Sequence, residues 1–193
     1  MSASSSITGL ILAGGESRRM GGEDKGWLSL NGSPLVQRVI SRIKPQVSRI
    51  VISANRNLDH YKDLGYPVIA DTTPYQGPLA GIAAGLNAIE TDYALVVPTD
   101  APLIPNDLVK QLVHFIPARL ILCEDESRLQ PLFGLYHCSL KQSINTYLSQ
   151  GQRKLTRWCQ LQNPKIVTIS DTKAFTNLNT PADLAVFEKN LPT

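Results

Sequence analysis

The apolar run Ile7-Thr8-Gly9-Leu10-Ile11-Leu12 passes directly into the turn Ala13-Gly14-Gly15-Glu16-Ser17-Arg18-Arg19-Met20-Gly21-Gly22-Glu23-Asp24-Lys25. The run reads as a buried first strand, because it lacks the polar alternation of a half-exposed one. The turn then gathers four glycines, two arginines and one lysine. Glycine opens backbone conformations closed to other residues and lets a ligand approach the chain. Successive free N–H groups in such a turn make an anion-binding concavity. Arginine adds bidentate contacts to phosphate, and lysine adds a point charge. Strand, glycines and cations in this order point to a loop that grips a nucleoside triphosphate. The plainer reading is a tight surface turn with solvated arginines.

Well-known phosphate motifs do not describe this loop. Lys25 is followed by Gly26, so the P-loop ending G-K-[ST] is not met. Gly14 and Gly15 are adjacent, which excludes the dinucleotide spacing G-x-G-x-x-G. Gly15-Glu16-Ser17 continues into Arg18-Arg19, which excludes the hydrolase elbow G-x-S-x-G.

Downstream, apolar strands alternate with amphipathic helices. Asn31-Gly32 is a turn dipeptide, and Ser33 is expected to cap a helix with Pro34 at its first position. Leu35, Val36, Val39, Ile40 and Ile43 share one face of that helix, which Pro45 stops. A second strand is expected at 49–53, a short helix at 57–64 and a third strand at 67–70, followed by Asp71. Gly77-Pro78-Leu79-Ala80-Gly81 opens another helix, and 93–97 is a nearly continuous apolar strand ending in Pro98-Thr99-Asp100-Ala101-Pro102. A helix at 106–116 follows. This alternation predicts a mostly parallel sheet with helices on both faces. Ligands in such sheets bind outside the carboxyl ends of the strands. The loop after Leu12, Ser53 to Asn55, Asp71 and Asp100 therefore converge on one crevice.

The last third is less regular. Strands are expected at 120–123 and 131–136 around the acidic turn Glu124-Asp125-Glu126, helices at 139–149 and 153–161, and a strand at 166–169. Thr180-Pro181-Ala182-Asp183 starts a final helix. Arg153, Lys154 and Arg157 cluster on the second of these helices, as a solvated face or as a hold on a second substrate's phosphate. No linker divides the chain. One domain is expected over 1–193, with a nucleotide-binding half at 1–116 and an acceptor-binding half at 117–193.

The 193 residues, 42% of them apolar, suit one folded domain with a sizeable core. A net charge of +3 is too small to argue for nucleic-acid binding. Residues 1–6 are polar and uncharged, unlike a signal peptide, and no apolar run approaches the ~20 residues that span a bilayer. Cys123, Cys138 and Cys159 are odd in number and lack C-x-x-C spacing. They read as small buried apolar residues in a reducing compartment, so a cytoplasmic protein without membrane attachment is expected.

Asp100 follows a buried strand at the ligand face, where a carboxylate suits Mg²⁺ shared with substrate phosphates. A helix-capping role is the alternative. Asp71 is placed to accept hydrogen bonds from a base or ribose, or to shape a turn. Asn179 is a second-metal-ligand candidate or a turn residue before Thr180. His60, His114 and His137 lie apart and read as structural. No nucleophile–base pair is apparent. Transfer to a phosphate monoester needs none, because the attacking oxygen is already anionic.

The loop from Leu12 to Lys25, Ser53-Ala54-Asn55-Arg56, Gly77 to Gly81, Pro98 to Pro102 and Asn177 to Pro181 together resemble the molybdenum cofactor guanylyltransferases. These are nucleotidyltransferases of three-layer, Rossmann-like α/β fold. The resemblance spans nearly the whole chain. It implies transfer of GMP from GTP to molybdenum-bearing molybdopterin, with Mg²⁺ as cofactor and pyrophosphate as by-product. It implies transient contacts with molybdenum cofactor biosynthesis proteins and acceptor molybdoenzymes. By motif match, Leu12, Ala13, Gly14 and Gly15 would contact GTP, and Lys25 would hold phosphates. Arg19 and Lys25 would neutralise charge in the transition state. Asp71 would bind nucleotide, and Asp100 would bind both nucleotide and Mg²⁺. Some members carry Asn in place of Ser53, and that Asn contacts nucleotide. Here the contact would weaken, shift to Asn55 or pass through water. A CTP-using sister enzyme and a non-catalytic delivery module for molybdopterin are the competing readings. The Gly14-Gly15 pair and Arg18-Arg19-Met20-Gly21 favour GTP, because relatives using CTP usually read A-A-G at Ala13-Gly14-Gly15.

Overall fold

The computed structural model describes residues 7–14, 24–71, 76–126, 128–171, 173–178 and 181–189. Gly15, Arg18, Arg19, Asn179 and Thr180 therefore lie outside the described residues. The elements in chain order are β1 (Ile7–Leu12), β2 (Ser29–Leu30), β3 (Ser33–Pro34), α1 (Leu35–Ile43), β4 (Arg49–Ser53), α2 (Leu58–Lys62), β5 (Val68–Ile69), α3 (Pro78–Ala88) and β6 (Tyr93–Pro98). They continue with α4 (Leu108–Leu112), β7 (Leu120–Glu124), β8 (Leu129–His137), α5 (Lys141–Ser149), α6 (Leu155–Leu161), β9 (Lys165–Thr168) and α7 (Pro181–Lys189).

Seven strands form one sheet in the order β5-β4-β1-β6-β8-β7-β9. β1 pairs in parallel with both β4 and β6, and β4 pairs in parallel with β5. β8 is antiparallel to both of its neighbours, β6 and β7, while β7 and β9 are parallel. Seen along the sheet, β8 alone runs against the other six strands. It is the return arm of a hairpin with β7, and a short turn can only join antiparallel neighbours.

The pleat sends alternate side chains to opposite faces. Ile7 and Ile11, Ile50 and Ile52, Leu95 and Val97, and Ile121 and Cys123 pack on one side against Val36, Val39 and Ile43 of α1 and Leu108 and Leu112 of α4. Leu10, Val51, Ala94, Val96, Leu120 and Leu122 pack on the other against Leu79, Ile82 and Leu86 of α3, Ile144 of α5 and Trp158 of α6. Two cores sandwich the sheet, which is the expected three-layer α/β/α arrangement. A small third cluster joins Leu30 and Leu35 to Leu178, which precedes α7, and to Leu184 within it.

Some local expectations change. Ser33 does not cap α1. Asn31 (φ 48°) and Gly32 (φ 74°) take the paired left-handed conformations of a two-residue hairpin turn, so Ser33 and Pro34 pair with Ser29 and Leu30 instead. α1 begins at Leu35 without a side-chain cap. The expected helix at 106–116 is α-helical only over Leu108–Leu112 and then tightens into a 3₁₀ turn at Val113–Phe115. Ile116 is extended before Pro117, whose ring disfavours a helical residue ahead of it. β8 is longer than expected, because the ladder with β7 resumes beyond an irregularity at Leu122/Cys123. Arg153 and Lys154 precede α6, and Arg153 Nη1 donates to the Leu148 and Gln152 carbonyls. Arg153 thus closes the end of α5, and the basic cluster is not a single helical face. Cys123 and Cys159 are buried as expected, whereas Cys138 is only half-buried.

Candidate active site

The register of the sheet brings four strand ends level. Leu12 of β1 lies between Ser53 of β4 and Pro98 of β6, and Ser53 in turn pairs with Ile69 of β5. Hydrogen bonds continue past the strands: Ala13 N–H donates to the Ser53 carbonyl at 2.7 Å and Thr99 N–H to the Leu12 carbonyl at 3.2 Å. A cleft of about 340 Å³ opens over these ends. It is lined by Leu12, Ala13, Gly14, Asp24, Lys25, Ser53, Asp71, Gly77, Pro78, Gly81, Pro98, Thr99, Asp100, Leu132 and Asn177. The crevice expected from the strand–helix alternation is therefore present. Leu12, Ala13, Gly14, Lys25, Ser53, Asp71 and Asp100 all face it, whereas Gly15 and Arg19 lie outside the described residues.

Lys25 and Asp100 meet across the cleft, with Nζ 3.4 Å from Oδ2. Burial raises the Asp100 carboxyl above its ordinary range, and the Lys25 ammonium only partly reverses this. Desolvation of the carboxylate therefore outweighs the compensation that Lys25 supplies. The Asp100 carbonyl accepts from Leu178 N–H at 2.9 Å, which ties the β6 loop to the segment before α7.

Asp71 is held from one side. Asn55 Nδ2 donates to Oδ2 at 2.8 Å, and Asn55 Oδ1 accepts from the Asp71 backbone N–H at 2.9 Å. The Ser53 hydroxyl is 3.5 Å from Oδ1. Burial raises the Asp71 carboxyl, and the bonds from Asn55 and Ser53 oppose the rise. Ser53 is almost completely buried and lies under Asp71.

The start of α3 forms another part of the cleft wall. Gly77 has φ 81° and ψ −179°, a conformation essentially confined to glycine. It turns the chain so that α3 begins at the cleft, and a helix amino end favours anions. At Gly81 a Cβ would sit 2.8 Å from Ser53 Oγ and 3.2 Å from Leu12 Cδ2, so the helix approaches the strand ends only because this position lacks a side chain.

Some residues that line the cleft have no site role assigned from the sequence. Asp24 belongs to the glycine loop, but its role follows only from its contacts with α2. Leu132 and Asn177 reach the cleft from the second half of the chain. Only the antiparallel placement of β8 beside β6 brings Leu132 there. Asn55 was recognisable as an alternative to Ser53, and its double bond to Asp71 is what distinguishes it.

The histidines lie elsewhere. His60 packs edge-on to Trp27, His114 is exposed, and His137 Nδ1 accepts from Ser139 N–H at 3.2 Å. Ligand atoms of Asp92, His137 and Cys138 come within 4.8 Å of one another at the opposite end of the sheet from the cleft.

Residues 9–165 match the model of a family described as the MobA-like NTP transferase domain. The chain is 48% identical over 186 residues to the molybdenum cofactor guanylyltransferases of Yersinia pestis (strain Pestoides F) and Yersinia pseudotuberculosis serotype IB (strain PB1/+), an alignment covering 95% of this chain and 95% of each relative. Among solved structures it is similar to molybdopterin-guanine dinucleotide biosynthesis protein A from Archaeoglobus fulgidus, at 22% identity and TM-score 0.75, over 94% of this chain and 97% of that one. It is also similar to 4-diphosphocytidyl-2C-methyl-D-erythritol synthase from Anaerococcus prevotii, at 12% identity and TM-score 0.76, over 96% of this chain and 95% of that one. At these identities the two structural likenesses are likenesses of fold.

Proposed function

The chain belongs to the MobA-like NTP transferase family, and on that premise we propose that it transfers GMP from GTP to molybdenum-bearing molybdopterin, giving the guanine dinucleotide and pyrophosphate. The 48% identity to guanylyltransferases along nearly the full length carries the choice of substrates. The Lys25–Asp100 pair at the strand ends supports the chemistry.

In this reading the acceptor's terminal phosphate oxygen attacks the α-phosphorus of GTP, and the bond from that phosphorus to the bridging oxygen of pyrophosphate breaks. The nucleophile is already anionic, so no side chain has to remove a proton from it. The protein's task is alignment and neutralisation of charge. Gly14 and the start of α3 present the cleft wall to the nucleotide, and Lys25 holds its phosphates. Asp71, braced by Asn55 and Ser53, accepts hydrogen bonds from the nucleoside. Gly15 and Arg19 are assigned to the phosphates by the loop motif alone.

The residues fit one hard divalent cation. Mg²⁺ uses one or two protein carboxylates and completes its shell with phosphate oxygens and water. Asp100 offers such a carboxylate, under-compensated and facing the cleft, while Asp71 is engaged by Asn55. Asp100 would hold the ion, which when bound neutralises the nucleotide's phosphates. Lys25 would then exchange its contact with Asp100 for the substrate.

Leu132 and Asn177 support the division of one domain into a nucleotide half at 1–116 and an acceptor half at 117–193, since both reach the cleft from the second half. No helix among the described residues is long and apolar enough to cross a membrane. We assign the protein to the cytoplasm, with transient contacts to cofactor biosynthesis proteins and acceptor molybdoenzymes. The Asp100→Ala variant tests catalysis against mere delivery. A guanylyltransferase loses metal-dependent turnover, whereas a delivery module has none to lose and binds GTP without forming product.

A further inference from the structure

Asp24 is almost completely buried in the wall of the cleft, yet it has the wrong charge for a site that receives a triphosphate. A carboxylate there repels the ligand and is costly to desolvate. Its surroundings account for its presence. Oδ1 accepts from the Tyr61 hydroxyl at 2.8 Å and from Gly26 N–H at 3.1 Å. Oδ2 accepts from Asn57 Nδ2 at 3.1 Å, and Arg56 Nε is 3.8 Å away. Both oxygens are thus engaged by donors from the Arg56-to-Tyr61 stretch, which begins at the end of β4 and runs into α2. The bond from Gly26 makes Asp24 the cap of the 3₁₀ turn Lys25–Trp27, which carries the lysine.

The packing leaves this turn little freedom. A Cβ on Gly26 would fall on the Tyr61 hydroxyl. The Trp27 ring lies 5.3 Å from that of Tyr61 and 5.7 Å from that of His60. Tyr61 is fully buried, and burial together with the adjacent Asp24 raises its pKa, so the hydroxyl stays a donor. Lys25 meanwhile extends away from its sequence neighbour and reaches Asp100.

We propose that Asp24, fastened by Tyr61 and Asn57, is a positioning residue that aims Lys25 at the nucleotide's phosphates. The inference rests on the phosphate-binding role of Lys25 given above. α2 is then a brace for the catalytic loop, remote from the reacting atoms and acting on them through one carboxylate.

The test is a double-mutant cycle between Tyr61→Phe, which removes one hydroxyl, and Lys25→Met. GTP affinity is read by titration with Mg²⁺, turnover by product formation, and folding by thermal melting. Tyr61→Phe is expected to weaken GTP binding and slow turnover by about fivefold or more, because it removes a hydrogen bond to a charged group. In the Lys25→Met background the same change should cost less than about twofold in GTP affinity. Asn57→Gly, at an exposed residue whose φ of 50° glycine tolerates, breaks a second contact to Asp24 and should show the same dependence on Lys25. Equal losses with and without Lys25, or no loss from either α2 variant, would overturn the positioning role. Lys25→Met with unchanged affinity and turnover would overturn the reading of Lys25 itself, and this inference with it. Loss from Lys25→Met with uncoupled α2 variants would overturn the positioning role alone.

Discussion

Asn55 grips Asp71 twice, donating from Nδ2 to Oδ2 at 2.8 Å and accepting from the backbone N–H at 2.9 Å. Two strand ends, those of β4 and β5, are thereby locked together beside the cleft. Asn55 and Ser53, two residues apart, thus reach the same carboxylate, Ser53 through its hydroxyl at 3.5 Å.

Asn55→Ala should loosen this corner. Asp71 would keep only the 3.5 Å contact with the Ser53 hydroxyl, and its carboxyl would rise further. Losing a hydrogen bond to a half-buried charged group costs about 2 kcal/mol, or roughly 4–8 °C in melting temperature for a chain of this size. GTP affinity should fall by up to about thirtyfold, the equivalent of a similar loss of free energy. Melting and GTP titration check both, and unchanged affinity would remove Asp71 from the nucleotide site.

Asp100 should trade stability for activity. Its folded-state pKa is raised by burial, so the folded chain binds that proton more tightly than the unfolded chain. The contribution to stability is therefore full below the ordinary carboxylate range and is lost as pH rises through the folded pKa. Asp100→Asn cannot ionise, so its melting temperature should exceed that of the wild type by a margin that grows as pH rises above the ordinary carboxylate range of about pH 4. Turnover should drop by about a hundredfold or more over the same range, because charge stabilisation at the phosphates is lost. A margin of opposite trend would mean that Asp100 stabilises the fold and is not held in reserve for a cation.

Gly81→Ala tests the close approach of α3. The new Cβ would meet Ser53 Oγ at 2.8 Å and lie 3.5 Å from Asp71 Oδ1. Overpacking of this kind costs about 1–3 kcal/mol, and here the strain falls on the nucleotide corner. The melting temperature should fall, and GTP binding should weaken together with it. Wild-type affinity in a folded Gly81→Ala protein would show that the floor of the cleft yields without consequence.

Much of this architecture is legible in the chain itself. β1 and β4 match their apolar runs, since a strand buried on both faces has a distinctive composition and the turn residues around it set its limits. The crevice follows from topology, because parallel strands joined by helices bring their carboxyl ends to one edge. What is not legible is set by longer-range competition. Asn31-Gly32 pulls Ser33 and Pro34 into a hairpin, against a cap signal of similar strength. Periodicity gives no strand direction, so the reversed course of β8, which brings Leu132 to the cleft, is invisible until the sheet is assembled. The role of Asp24 depends on Tyr61, 37 residues away, and no local pattern links the two.

The most direct measurement is pyrophosphate release with Mg²⁺, comparing GTP, CTP and ATP, with and without molybdate-loaded molybdopterin and with a chelator control. Release is expected with GTP alone, requiring both the pterin and the metal. Release with CTP would keep the fold and the phosphoryl chemistry but contradict the choice of base. No release with any nucleotide, in protein that binds GTP, would contradict the guanylyltransferase assignment itself.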